Sequence, residues 1–265
     1  MLRRFVWRHP LIYQALQKVR FRGSSCDLNY DVLFGGFPRS GNTFGSFMLE
    51  VSQQKRIKVA IHRHVPPPFI WAMQKKKPAC LTLRRPLDSL ASWAIYTNSS
   101  HSIKSIFQYY FDFHQVLLPH RSKLLILPFY IITEDFPLVV QLINMRFDLK
   151  LETGFDLDAC KNGAFTRIDN HWKSKSGIIN ESQVGRPTPA RDARKQAIQE
   201  ELLRPSYSHL LQRCEALYQI YEKEFFADIN RYCDRAPDGK KAESYLEKFD
   251  QYRYPGSASQ GSCAV

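Results

Sequence analysis

Three short segments hold residues whose types and spacing could do chemistry. In Gly36-Phe37-Pro38-Arg39-Ser40-Gly41-Asn42-Thr43, an apolar run ends in a glycine-bounded loop and a helical pattern begins. In that setting backbone N–H groups and a helix N-terminus can cradle a phosphate. The spacing Gly36-x₄-Gly41 fits the phosphate loop G-x-x-x-x-G-K-[ST], with Thr43 at the hydroxyl position. Position 42, however, is asparagine and not lysine. A kinase or NTPase needs that lysine on the β/γ-phosphates and a metal on the loop hydroxyl, so the substitution argues against both. The cation has moved inside the loop, to Arg39, which suits a donor that lacks a γ-phosphate.

The second segment is Arg84-Arg85-Pro86-Leu87-Asp88-Ser89-Leu90-Ala91-Ser92, at the end of another apolar run. Pro86 suits the first helical turn, Asp88 is expected to satisfy early amide donors there, and Arg84 and Ser92 can converge on an anion. The third is His62-Arg63-His64-Val65-Pro66, at the end of a predicted strand. A base working near neutrality is best supplied by histidine, and open α/β sheets bind ligands at the C-terminal ends of their strands.

Pro38–Phe44 resembles the 5′-phosphosulfate loop of the PAPS-dependent sulfotransferases (PAPS, 3′-phosphoadenosine 5′-phosphosulfate), P-[KR]-S-G-[TN]-T-[WF]. Arg84–Ser92 resembles that family's 3′-phosphate motif R-x-P-x-D-x-x-x-S with every spacing kept, and His62–Pro66 its K-[ST]-H-x-P segment. The resemblance implies transfer of a sulfuryl group from PAPS to an acceptor hydroxyl or amine, leaving adenosine 3′,5′-bisphosphate, with no metal. It implies Arg39 at the bridging oxygen and the transferring group, and Pro38, Ser40, Gly41, Asn42 and Thr43 around the 5′-phosphate. Phe44 would stand near the adenine, Arg84 and Ser92 on the 3′-phosphate, and His64 would be the base. His62 stands where the family has lysine. Two later stretches, Trp172–Gly177 and Val184–Pro187, are candidates for the segment that closes over the nucleotide, with Arg186 the better choice. The resemblance covers about residues 31–150 well and the remainder weakly. The other readings are a non-catalytic anion- or nucleotide-binding protein on a degenerate loop and, behind it, a P-loop kinase.

The elements that must position these residues follow from periodicity. Apolar runs at Asp31–Phe37, Arg56–His62, Ala79–Arg84 and Lys123–Tyr130 read as strands. Helical patterns cover Asn42 to about Gln53, then start at Pro66–Pro68 and Pro86, and recur over Ile103–Leu118, Leu138–Met145, Ala193–Leu203 and Ser208–Phe225. The alternation predicts a three-layer α/β P-loop fold. A parallel sheet of four to five strands lies between helices, and the C-terminal part is helical. The expected organisation is a basic helical extension over 1–30, the P-loop domain over 31–235 and a polar, disordered tail over 236–265. The extension reads first as a helix docked on the domain, and second as a basic helix lying on a membrane.

Bulk properties bound the partners. The 265 residues are 44% hydrophobic and 13% aromatic, enough for one filled α/β core. A net charge of +13 calls for an anionic partner. No RNA-binding signature is present, so nucleic acid is not expected. The acceptor is expected to be a glycan, a glycolipid or a small polar molecule. Tyr96, Phe107, Tyr109, Tyr110, Phe111 and Phe113 could line its site, though most are expected in the core. The six cysteines follow no metal or redox spacing, which suggests a reducing compartment. With no apolar stretch near the ~20 residues of a membrane span, a cytoplasmic enzyme, at most peripheral to a membrane, is expected.

Overall fold

A computed structural model describes residues 2–21, 29–60, 64–180, 184 and 189–234. The expected tail over 236–265, and His62, Arg63 and Arg186, lie outside the described residues. Strands β1 (Val32–Gly36), β2 (Val59–Ala60), β3 (Ala79–Leu83) and β4 (Leu125–Pro128) form one parallel sheet in the order β2-β1-β3-β4. Every residue of β1, β3 and β4 is buried. A parallel sheet whose strands are apolar throughout must be covered on both faces, and helices supply both layers. The expected α/β architecture is therefore present, with four strands.

The crossover helices are α3 (Asn42–Val51), α4 (Pro67–Gln74), α5 (Pro86–Tyr96) and α6 (Ile103–Leu117). Pro67 and Pro86 open α4 and α5, where a missing N–H costs nothing. Ser102 caps α6 by accepting from the Ser105 amide. Beyond β4 the chain is helical: α7 (Phe129–Glu134), α8 (Phe136–Phe147), α9 (Leu157–Ser176), α10 (Pro189–Leu202) and α11 (Ser208–Cys233).

Several boundaries differ from expectation. β2 starts only at Val59, because Arg56–Lys58 are not paired as strand, and β4 ends at Pro128, where α7 begins directly. The largest difference is α9, a helix where the sequence predicts no element and only Trp172–Gly177 stand out, as a candidate closing segment. It packs on α3, and its narrow stripe of Cys160, Ala164 and Ile168 is buried. Trp172–Ser176 thus form the end of a helix and are not a closing loop.

The strand order turns between β1 and β3: β1 leads to β2 on one side, and β3 and β4 lie on the other. Loops that leave β1 and β3 therefore diverge at their C-terminal ends, and the crevice between them is where open α/β sheets take ligands. At the N-terminus, α1 (Leu2–Arg8) packs on α4 and α6, and α2 (Pro10–Phe21) packs on α4. Arg3 and Arg4 form ion pairs with Asp112, and Trp7 is buried against Tyr109 at 5.7 Å. α1 is thus docked on the domain. Among the described residues no helix is long and apolar enough to cross a membrane.

Candidate functional site at the switch point

The loop after β1 has the backbone of an anion cradle. Arg39 adopts φ 67° and Gly41 φ 86°, left-handed conformations on either side of Ser40 that turn successive amides inward. Gly36 has to be glycine: a Cβ there would lie 2.3 Å from Thr82 Oγ1. Helix α3 starts at Gly41 without a side-chain cap and without an acid in its first turn, so its amides and dipole face the loop. Ser40 is fully buried, and its hydroxyl has no hydrogen-bond partner among the described residues. A hydroxyl sealed in a phosphate-type loop fits an anion oxygen, since an unmet buried donor is otherwise costly.

Asn42 does something other than what its position in the motif suggests. Its Nδ2 donates to Phe37 O at 2.9 Å and reaches Gly36 O at 3.5 Å, and its Oδ1 accepts from Thr82 Oγ1. The side chain pins the loop to β3, leaving only its backbone amide for a ligand. Pro38 is buried, and Thr43 is half-buried in the first turn of α3. Phe44 is buried and stacks on Phe165 of α9 at 5.2 Å, where it forms part of the α3–α9 packing.

Across the crevice, Ser92 is buried, and its Oγ accepts from Arg39 Nε at 3.2 Å and from Arg191 at 2.8 Å. Both guanidiniums also donate to Val184 O, at 3.0 and 2.8 Å. Arg84 donates to Arg39 O at 2.8 Å and lies over the Phe129 ring at 4.0 Å. Burial, then the charges of Arg191 and Arg84, push Arg39 down to about 9. Burial and Arg191 push Arg84 down to about 10, with Asp88 opposing. All three stay cationic at neutral pH, and an anion among them would relieve both the desolvation and the mutual repulsion.

Asp88 is not a cap. Its carboxylate pairs with Lys195 and accepts from Gln199 at 3.1 Å, which fixes α10 to α5. Those contacts bring Arg191, at the start of α10, to Ser92. Arg191 was missed in the sequence because nothing local separates it from Arg186 or Arg194.

His64 stands beside the loop, close enough for the Arg39 charge to lower its pKa. Its Nδ1 lies 3.0 Å from Gly36 O and 3.3 Å from Asn42 Nδ2. A carbonyl only accepts and Asn42 donates elsewhere, so Nδ1 carries the hydrogen and Nε2 the lone pair. Burial is the main cause that holds the ring below the ordinary histidine value, so it is neutral at pH 7. Above Arg39 lies an aromatic wall. Tyr96 faces its guanidinium at 5.2 Å, stacks on Trp93 and meets Trp172 edge-on. Of the six aromatic residues singled out over 96–113, Phe107, Tyr110 and Phe113 are core, while Tyr96, Tyr109 and Phe111 are half-buried.

Known proteins add nothing to this geometry: no protein family, curated protein or solved structure matches the chain. The arrangement by itself can bind a doubly anionic ligand between two helix starts and present it to a neutral imidazole.

Proposed function

We propose that the chain is a sulfotransferase that moves a sulfuryl group from PAPS to an acceptor hydroxyl or amine by in-line displacement. The observation that carries this reading is the convergence of Arg39, Arg84, Arg191 and Ser92 on one spot, next to an anion loop and a neutral histidine. PAPS supplies a sulfur activated by its 5′-phosphate leaving group. The loop amides, the Ser40 hydroxyl and the α3 terminus hold the 5′-phosphate, and Arg84, Ser92 and Arg191 hold the 3′-phosphate. Arg39 is the cation for charge that develops on the bridging oxygen. The acceptor oxygen or nitrogen bonds to sulfur as the bond from sulfur to the bridging oxygen breaks, and the acceptor proton passes to His64 Nε2. The acceptor is proposed to be a glycan, glycolipid or small polar molecule, approached past the aromatic wall.

Calorimetric titration without metal tests the reading. Adenosine 3′,5′-bisphosphate is expected to bind much more tightly than ADP, with the preference lost in Arg84→Ala and Ser92→Ala. Equal binding of both nucleotides would leave an anion-binding protein, the reading that the cationic cluster favours next.

A further inference from the structure

Docking of α1 and α2 on the domain leaves exposed apolar side chains along both helices, the α1–α2 ridge. Trp7 and Pro10 face inward and are buried. Leu2 and Leu11 expose 78% and 69% of their surface, and Phe5, Ile12 and Leu16 are also exposed. Leu2 and Phe5 are three residues apart on α1, and Ile12 and Leu16 four apart on α2, so each pair shares a helical face. None of the five packs on the core. They are five of the eight large hydrophobic residues exposed among the described residues, which marks this ridge as the place where apolar surface is concentrated.

The charge carried by α1 and α2 themselves is of one sign. Residues 2–21 contain Arg3, Arg4, Arg8, Lys18 and Arg20 and no aspartate or glutamate. Arg3 and Arg4 fasten α1 to Asp112, and Arg8 is exposed beside the ridge. Exposed apolar side chains on helices whose own charges are all cations match the acyl boundary and headgroups of an anionic bilayer. A second copy of the same face would bring like charges together, which disfavours self-association there. We infer that the α1–α2 ridge seats the protein on an anionic membrane surface, with Leu2, Phe5, Leu11, Ile12 and Leu16 inserted at the headgroup level. The ridge sits close to the candidate base: Trp7 packs on Tyr109, whose hydroxyl donates to His64 O at 2.7 Å.

The test is flotation of the full chain with vesicles of equimolar phosphatidylglycerol and phosphatidylcholine, and with vesicles of phosphatidylcholine alone. Binding is expected to the anionic vesicles and to be much weaker to the neutral ones. Replacing Leu2, Phe5, Leu11 and Leu16 together by Gln is expected to weaken binding at least about tenfold. Arg8→Gln is expected to weaken binding to the anionic vesicles about fivefold. A control with Gln at Ile178, Leu203 and Ile220, exposed apolar residues elsewhere, should bind as the parent does. Circular dichroism and adenosine 3′,5′-bisphosphate titration confirm that each variant is folded and keep this result separate from the nucleotide reading. Parent and quadruple variant floating equally, or neither floating, would overturn the inference. So would a parent dimer that the quadruple variant converts to monomer without any vesicle binding, which would assign the ridge to a second copy.

Discussion

Two regions of this molecule bury polar groups, and they do so in opposite ways. In the seam between α6 and α11 the hydroxyls and the His114 Nδ1–H donate to acceptors within the fold. Among these groups only His114 Nε2 lacks a partner among the described residues. Tyr218 donates to Glu222 at 2.9 Å and Tyr221 to His114 O at 2.7 Å, while the His114 Nδ1–H donates to Tyr110 O at 2.9 Å. At the switch point three guanidiniums crowd one another on a hydroxyl and two carbonyls, beside a left-handed loop and a helix start without a side-chain cap. The seam is a network in which neutral donors meet acceptors that are already in place. The switch point holds like charges together against their repulsion, an arrangement that a bound anion would relieve. Each region even has a histidine with Nδ1 on a backbone carbonyl and a pKa lowered by burial, His64 in one and His114 in the other. Their surroundings, and not their own chemistry, separate a candidate base from a packing residue.

If that division is right, substitutions in the two regions should fail in different assays. The largest effects belong to the switch point. His64→Ala and Arg39→Ala are each expected to lower kcat/KM for PAPS-dependent transfer by about three orders of magnitude, with the thermal midpoint nearly unchanged. Because the His64 pKa is lowered and the base works unprotonated, activity should stay level from neutrality down to the ordinary histidine value and fall only below it. A large loss of thermal stability in His64→Ala would erase the distinction between the two histidines.

The seam predicts the next largest effect, on stability alone. His114 is buried with its pKa pushed down to about 4, and its Nε2 has no hydrogen-bond partner among the described residues. On unfolding the ring regains its ordinary value of about 6.5 and takes up a proton in acid. The contribution of the neutral buried ring is therefore complete above that value and is lost as pH falls from about 6.5 to about 4. The loss is about 3 kcal/mol. Denaturant midpoints measured across this range should fall with pH in the parent and fall less in His114→Phe.

The same contrast explains what could be read from the sequence. The turn after β1, the helix start at Pro86 and the sheet were legible because strand periodicity, proline and glycine act locally, and the spacing of a motif is itself local. The stripe of Cys160, Ala164 and Ile168 behind the Asp156 cap was the available signal for α9. Leu157, Phe165 and Trp172 flank it on the same helix, but charged and amide residues fill the positions between, and only Trp172–Gly177 drew attention, as a closing segment. The Asn42 side chain looked like a ligand donor and is a pin, and Asp88 looked like a cap and is a tether to α10. Such reassignments depend on partners far away in sequence, Thr82 in one case and Lys195 in the other. Arg191 is the extreme case, since it joins the site only through the packing of α10 on α5.

Arg191 therefore sharpens the comparison at intermediate scale. It donates to Ser92 Oγ and Val184 O from a helix outside both motifs. Arg191→Ala should weaken adenosine 3′,5′-bisphosphate binding about 10- to 100-fold, the size of a lost charge-assisted hydrogen bond. Binding of ADP should change little if Arg191 serves the 3′-phosphate. An equal loss for both nucleotides would instead move Arg191 to the 5′ side, next to Arg39.

The smallest effect is expected deep in the seam. Tyr221→Phe removes the hydroxyl that donates to His114 O, but that carbonyl also accepts from the Leu118 amide at the end of α6. No acceptor is stranded, and the Phe ring fills the same space, so the loss should be about 1 kcal/mol in urea unfolding. Affinity for the bisphosphate should match the parent within error, because the seam meets the switch point at other residues: Tyr110, whose hydroxyl donates to Arg84 O at 3.1 Å, and Phe37, whose ring lies 6.2 Å from that of His114. If Tyr221→Phe weakened nucleotide binding while stability held, the two regions would be one coupled network, and the closed seam would be part of the site it was contrasted with.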